Sequence, residues 1–263
     1  MKKTFSSKKS AFSLIELSIV LIIIGLLIAG ITGGASLIKS SELRSIMGEA
    51  RGYAVSVNSF FTQYDQYPGD ASVNVGSNSI PTAIGDRDNK IEFLNDATSP
   101  VTEGIDAWFD LKDIGAIDMV LAPLVHTDAT TGSLHVPAAL TMGLGVPGSK
   151  IKGAGWVFDF NTTTHQNVVV LTGNTDAYVA LTAFTMVNGV LATGANNSSK
   201  EIITAGDALA IDSKIDDGKA SSGNVQAVNQ ITATPCYSVT AGYVVTAGST
   251  KVCALQFRVD VSS

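Results

Sequence analysis

Few side chains in this sequence stand where their types and spacing could do chemistry. Asp212, Asp216 and Asp217, in the tract DSKIDDGKASSGNVQA, could offer oxygen ligands to Ca²⁺. Their spacing is not that of an EF-hand, and helix-end capping beside a solvated turn accounts for the same residues. The three histidines, His126, His135 and His165, are scattered through loop-like sequence with no metal-ligand spacing and read as surface residues. GLGVPG (Gly143–Gly148) lacks the Lys-Ser/Thr that a phosphate-cradling loop requires. Asn161 and Asn196 fit the glycosylation acceptor pattern, but short Asn/Ser/Thr tracts arise freely in this composition. No nucleophile elbow is present, and no catalytic constellation emerges. Cys236 and Cys253 would be inert thiols in a reducing compartment. In an oxidising one they would form a single disulfide closing a loop of about 18 residues, worth ~3 kcal/mol in the chain-entropy model. The most informative side chain is Glu16, the only charge between Phe12 and Ile31. A carboxylate in an apolar run costs roughly 2.5–3.5 kcal/mol at the centre of a membrane and less near an interface.

The element that carries Glu16 is long. The 20 residues Phe12–Ile31 would span ~30 Å as a helix, the hydrocarbon thickness of a bilayer. Lys2, Lys3, Lys8 and Lys9 precede them and place the amino end in the cytoplasm. Leu43, Ile46, Met47, Ala50, Tyr53, Ala54, Val57, Phe60, Phe61 and Tyr64 continue the helical period, with charges at other positions. A single helix from about Phe12 to Tyr64 would measure ~80 Å, apolar all round at first and amphipathic afterwards. Gln66–Asp70, QYPGD, ends it with a Pro-Gly turn.

The rest reads as a mixed domain. Residues 71–90 form an exposed loop, and Ile105–Ile117 a short helix burying Trp108, Leu111 and Ile114. Gly155–Phe160 and Asn167–Gly173 make an antiparallel hairpin, and Thr182–Ala192 another strand. Thr204 caps a helix running to Ile215, with Asp207 three residues on. In the closing strand Cys253, Leu255, Phe257, Val259 and Val261 line a buried face, alternating with Ala254, Gln256, Arg258 and Asp260. The fold class is α+β.

Charge narrows the partners. Residues 1–11 hold four lysines and no acid, which leaves 13 basic against 23 acidic groups elsewhere. A body this acidic, with no run of Lys or Arg, is a poor binder of nucleic acid.

The amino terminus resembles the type IV pilin family, which includes the pseudopilins of type II secretion. The likeness rests on the Lys-rich leader, the small Ala11 and FSLIELSIVLIIIGLLIAG from Phe12. It covers about 50 residues; DDG at Asp216–Gly218, leading into the cysteine region, is a lesser match. Two departures are Ala11, where the family usually has Gly, and Gly33-Gly34, near the usual position of a Pro. The resemblance implies a leader 1–11, a membrane and filament-core helix 12–34, and a helix continuation with a globular head in 35–263. It implies cleavage between Ala11 and Phe12 by a prepilin peptidase, N-methylation of Phe12, and an assembly role for Glu16 opposite the Phe12 amine of a neighbour. It implies a Cys236–Cys253 disulfide in the exported head and no cofactor, although some pseudopilins bind calcium near the matching aspartates. The implied partners are other copies or other pilins in a filament, the peptidase and an inner-membrane assembly platform. The subunit would sit in the inner membrane before assembly, then in an extracellular pilus or a periplasmic pseudopilus. A cleavable signal peptide, a plain signal anchor and a membrane-anchored periplasmic enzyme are the competing readings.

Overall fold

A computed structural model describes residues 13–71, 85, 87–92, 103–120, 142–143, 146–161, 164–173, 186–187, 190–191, 201–228, 235–238, 240 and 242–260. Helix α1 runs without a break from Leu14 to Tyr64, through Gly25, Gly30 and the Gly33-Gly34 pair. The chain divides into two compact units, Met1–Glu42 and Leu43–Ser263. In the first, the large apolar side chains from Leu14 to Ile38 are exposed. An 18-residue window there has a mean hydropathy of 2.9, and none of it is buried. The helix is therefore long and apolar enough to cross a membrane.

In the second unit the amphipathic half of α1 builds a core. Leu43, Ile46, Ala50, Tyr53, Val57 and Phe60 are buried at three- and four-residue spacing, as the period predicts. Tyr53 meets Trp108 edge-on at 4.8 Å and Trp156 at 5.5 Å between ring centroids. Each such large side chain contributes roughly 1.5–3 kcal/mol when removed from water. Trp108 and Phe158 stack with centroids 4.1 Å apart, joining α2 (Glu103–Asp113) to the first strand of the sheet.

The main sheet is antiparallel. β1 (Ala154–Asn161) pairs with β2 (Gln166–Gly173), with Asn161 opposite Gln166. A short pair follows, β3 (Met186–Val187) and β4 (Val190–Leu191). β5 (Ile203–Thr204) leads into α3 (Ala205–Ile215), and β6 (Val225–Val228) comes next. β7 (Tyr237–Ser238) and β8 (Gly242–Tyr243) make a small hairpin. The last strand, β9 (Lys251–Arg258), is hydrogen-bonded to β2, β5 and β6, so the end of the chain holds the sheet together.

Several expectations need correction. Helix α2 starts two residues before Ile105 and stops four before Ile117. Ala116 N–H bonds the Leu111 carbonyl, Gly115 N–H bonds that of Lys112, and Gly115 adopts φ +72, a Schellman stop. Thr182–Ala192 is not one strand, because β3 and β4 both lie inside it. On β9, Ala254 and Gln256 are buried along with Cys253, Leu255 and Phe257, since neighbouring strands flank it. Gln256 instead donates to Gln226 across the sheet at 2.8 Å. Of the loop expected over 71–90, Ala71 is buried, Arg87 and Asn89 are exposed, and residues 72–84 lie outside the described residues.

Candidate functional site

At the amino end, the first described residues form a reciprocal cap. Ser13 Oγ accepts from the Ile15 amide at 3.3 Å, while Glu16 Oε2 accepts from the Ser13 amide at 2.8 Å. Leu17 N–H closes the first helical turn onto the Ser13 carbonyl at 3.2 Å. Ser13 is thus the N-cap and Glu16 the third helical residue of a capping box. This use of Glu16 is absent from the expectations above, although Ser-x-x-Glu is a local sequence signal for it. The carboxylate meets a backbone donor that would otherwise lack a partner, at the positive end of the helix dipole. An ionised carboxylate offers about four lone-pair sites, so the Ser13 amide leaves room for an ammonium. Ala11 and Phe12, where cleavage and methylation are expected, lie outside the described residues.

The second site is at the carboxyl end. Cys236 and Cys253 form a disulfide with Cα atoms 4.9 Å apart, and both are fully buried. The bond fastens the start of β7 to β9. Beside it, Asp212 in the last turn of α3 is fully buried. Its carboxylate accepts from the Tyr243 hydroxyl at 2.8 Å and from the Gly218 amide at 3.1 Å. Burial raises the Asp212 pKa, while these two hydrogen bonds pull it down. Burial, then the bond to Asp212, raises the Tyr243 phenol above its ordinary range.

Asp216 accepts from the Asn224 and Val225 amides, and Asp217 from the Lys219 amide at 2.8 Å and the Ser222 hydroxyl at 2.9 Å. The Lys219 amide holds the Asp217 pKa below its ordinary value. One carboxylate oxygen from each aspartate lies within 4.8 Å of the others, so the triad could hold a divalent cation. Each acid also closes the 212–225 loop through protein donors.

Among the described residues, the remaining candidates do not assemble into a site. His165 is exposed, at φ +53. Asn161 is 1% exposed and accepts from the Thr164 amide at 3.1 Å, which makes it a poor glycan acceptor. Gly143 donates to the Val146 carbonyl at 2.8 Å. His126, His135 and Asn196 lie outside the described residues.

Residues 6–32 match the family model of the prokaryotic N-terminal methylation motif. The amino terminus is a prepilin-type motif. No curated protein and no solved structure matches the chain. The prepilin motif, the long apolar-to-amphipathic helix, the antiparallel sheet and the carboxyl-terminal disulfide together have the features of a type IV pilin or pseudopilin precursor.

Proposed function

We propose that this chain is the precursor of a structural subunit of a type IV pilus or pilus-like filament. On this reading a prepilin peptidase cuts between Ala11 and Phe12 on the cytoplasmic side and methylates the new Phe12 amine. The apolar part of α1 anchors the subunit in the inner membrane until an assembly platform moves it into the filament. There the Glu16 carboxylate takes the Phe12 ammonium of a neighbouring subunit while its capping bond to Ser13 persists. At ~4 Å and an effective dielectric near 20 the attraction is about 4 kcal/mol, comparable with the desolvation it offsets. Its main consequence is register, because a subunit docked one step away leaves a buried charge unpaired. The head has a structural role, with no catalysis of its own.

One observation carries this reading: the matched motif falls on the cap and first turns of a helix whose large apolar side chains are exposed from Leu14 to Ile38. An apolar surface of that extent needs a membrane or other copies around it. A surface pilus, rather than a secretion pseudopilus, is supported by the disulfide-tied head and its long polar segments. Electron microscopy of a deletion strain and its complemented parent tests the choice. The pilus reading expects surface filaments to vanish and return. Unchanged filaments together with lost protein export would assign the chain to a secretion pseudopilus.

A further inference from the structure

Helix α2 carries Glu103, Asp106 and Asp110 at spacings of three and four, which puts them on one face. Such a stripe would ordinarily meet water. Here Glu103 and Asp106 are buried and Asp110 is partly so, and the segment Tyr67–Ala71 that follows α1 is buried too. The Gly69 amide donates to Asp110 Oδ2 at 2.8 Å. Gly69 adopts φ +83, and a Cβ there would collide with the Glu103 carbonyl, so the corner lies directly on α2. Asp106 Oδ2 is buried with no hydrogen bond at all.

The titratable and charged groups on the surrounding elements do not neutralise the pair. On α2 they are Glu103, Lys112 and Asp113; on the corner, Tyr67 and Asp70; on residues 87–92, Arg87, Asp88, Lys90 and Glu92. Tyr53 and Tyr64 lie on α1, and Asp65 just past its end. β1 contributes Asp159, which strand alternation puts on the face opposite Phe158. The Lys90 ammonium binds Asp88, and the Lys112 ammonium lies over the Phe109 ring at 6.0 Å. Asp70 accepts from the Arg87 and Asn89 amides. Among the described residues no cation pairs with Asp106 or Asp110.

We propose that Asp106 and Asp110 form a proton-held latch that keeps the α1–α2 corner closed, and that alkaline pH releases it. A buried carboxyl with no donor and no cation keeps its proton. Burial, then the Asp110 charge, pushes Asp106 up to about 8. Burial lifts Asp110 to about 7 against the pull of the Gly69 amide, with Asp113 adding to the rise. Both folded-state values stand above the ordinary carboxyl range, so the stabilisation is full in acid, below about pH 4, and falls progressively until it is gone near pH 7 to 8. Beyond that, two like charges one turn apart repel in a buried site, and the corner lifts from α2 while the sheet stays folded.

The test is hydrogen exchange of the full chain in detergent, corrected for the intrinsic chemical rate, from pH 6 to pH 9. Protection of peptides covering 66–71 and 103–113 should fall on the order of a hundredfold or more, while those of β1, β2 and β9 hold. Asp106→Asn and Asp110→Asn should each flatten the profile, and the double variant should abolish it. A flat wild-type profile overturns the proposal whether or not the variants fold. So does a loss shared equally by the sheet, or a double variant that still falls as steeply as the wild type.

Discussion

Trp156 on β1 donates its indole N–H to the carboxylate of Glu49 on α1 at 2.8 Å. The same carboxylate accepts from the Ser149 hydroxyl at 2.7 Å and the Lys150 amide at 3.0 Å. One half-buried acid therefore clasps helix, strand and preceding loop where the aromatic contacts of Tyr53 begin. Its charge also adds to the rise of the Tyr53 phenol, after burial.

Glu49→Ala leaves four donors without their acceptor: the indole, the Ser149 hydroxyl, the Lys150 amide and the Ser45 hydroxyl, which donates to Oε1 at 3.4 Å. The head should lose about 2–4 kcal/mol in urea denaturation, and Glu49→Gln, which keeps an acceptor oxygen, roughly half of that. A loss within ~0.5 kcal/mol, the range of ordinary surface changes, would show that water replaces the clasp without cost.

The disulfide gives a second expectation. Alkylation of the folded protein without reductant should modify neither Cys236 nor Cys253, since both are bonded and buried. Changing both cysteines to Ser should cost roughly 2–5 kcal/mol. Labelling of both thiols in native protein would contradict the bonded state.

At the acidic loop, Tyr243→Phe removes the hydroxyl that serves buried Asp212 and should cost roughly 1.5–3 kcal/mol. Because protein donors already hold all three aspartates, a chelator should leave the melting temperature unchanged. A melting temperature that falls with chelator and recovers with Ca²⁺ would instead make the triad a structural metal site.

What the sequence discloses here is what local pattern controls. The period of α1, the β1–β2 hairpin and the Thr204 cap are each written in a few neighbouring residues, and each has its counterpart in the fold. Thr204 Oγ1 accepts from the Asp207 amide at 3.1 Å, three residues on, as its spacing indicates. Asp106 and Asp110 are different. On α2 they look like a solvated face, and only the distant corner at Gly69 buries them. Glu49 and Gln256 are hidden for the same reason, since their partners lie 107 and 30 residues away. The Ser13–Glu16 box is a local signal, Ser-x-x-Glu, set inside a run whose apolar character dominates it.

Glu16 variants separate capping from charge. Glu16→Gln keeps an acceptor for the Ser13 amide but carries no charge. Both Glu16→Gln and Glu16→Leu should insert in the membrane and be cleaved, since the leader is untouched. Both should fail to assemble, because breaking one side of a buried ion pair costs about 3–5 kcal/mol at each subunit addition. Comparing membrane-held and sheared-filament pools reads this directly. Normal filament yield from Glu16→Gln would reduce Glu16 to a helix cap.

On the function proposed above, the chain is a prepilin whose apolar helix is released for assembly by processing at its start. Mass spectrometry of the amino terminus of the protein recovered from its native cells tests it most directly. The account predicts a mature chain beginning at N-methylated Phe12, with residues 1–11 removed. A chain beginning at Ser36, as a signal peptidase would leave it, or one still beginning at Met1, would contradict it.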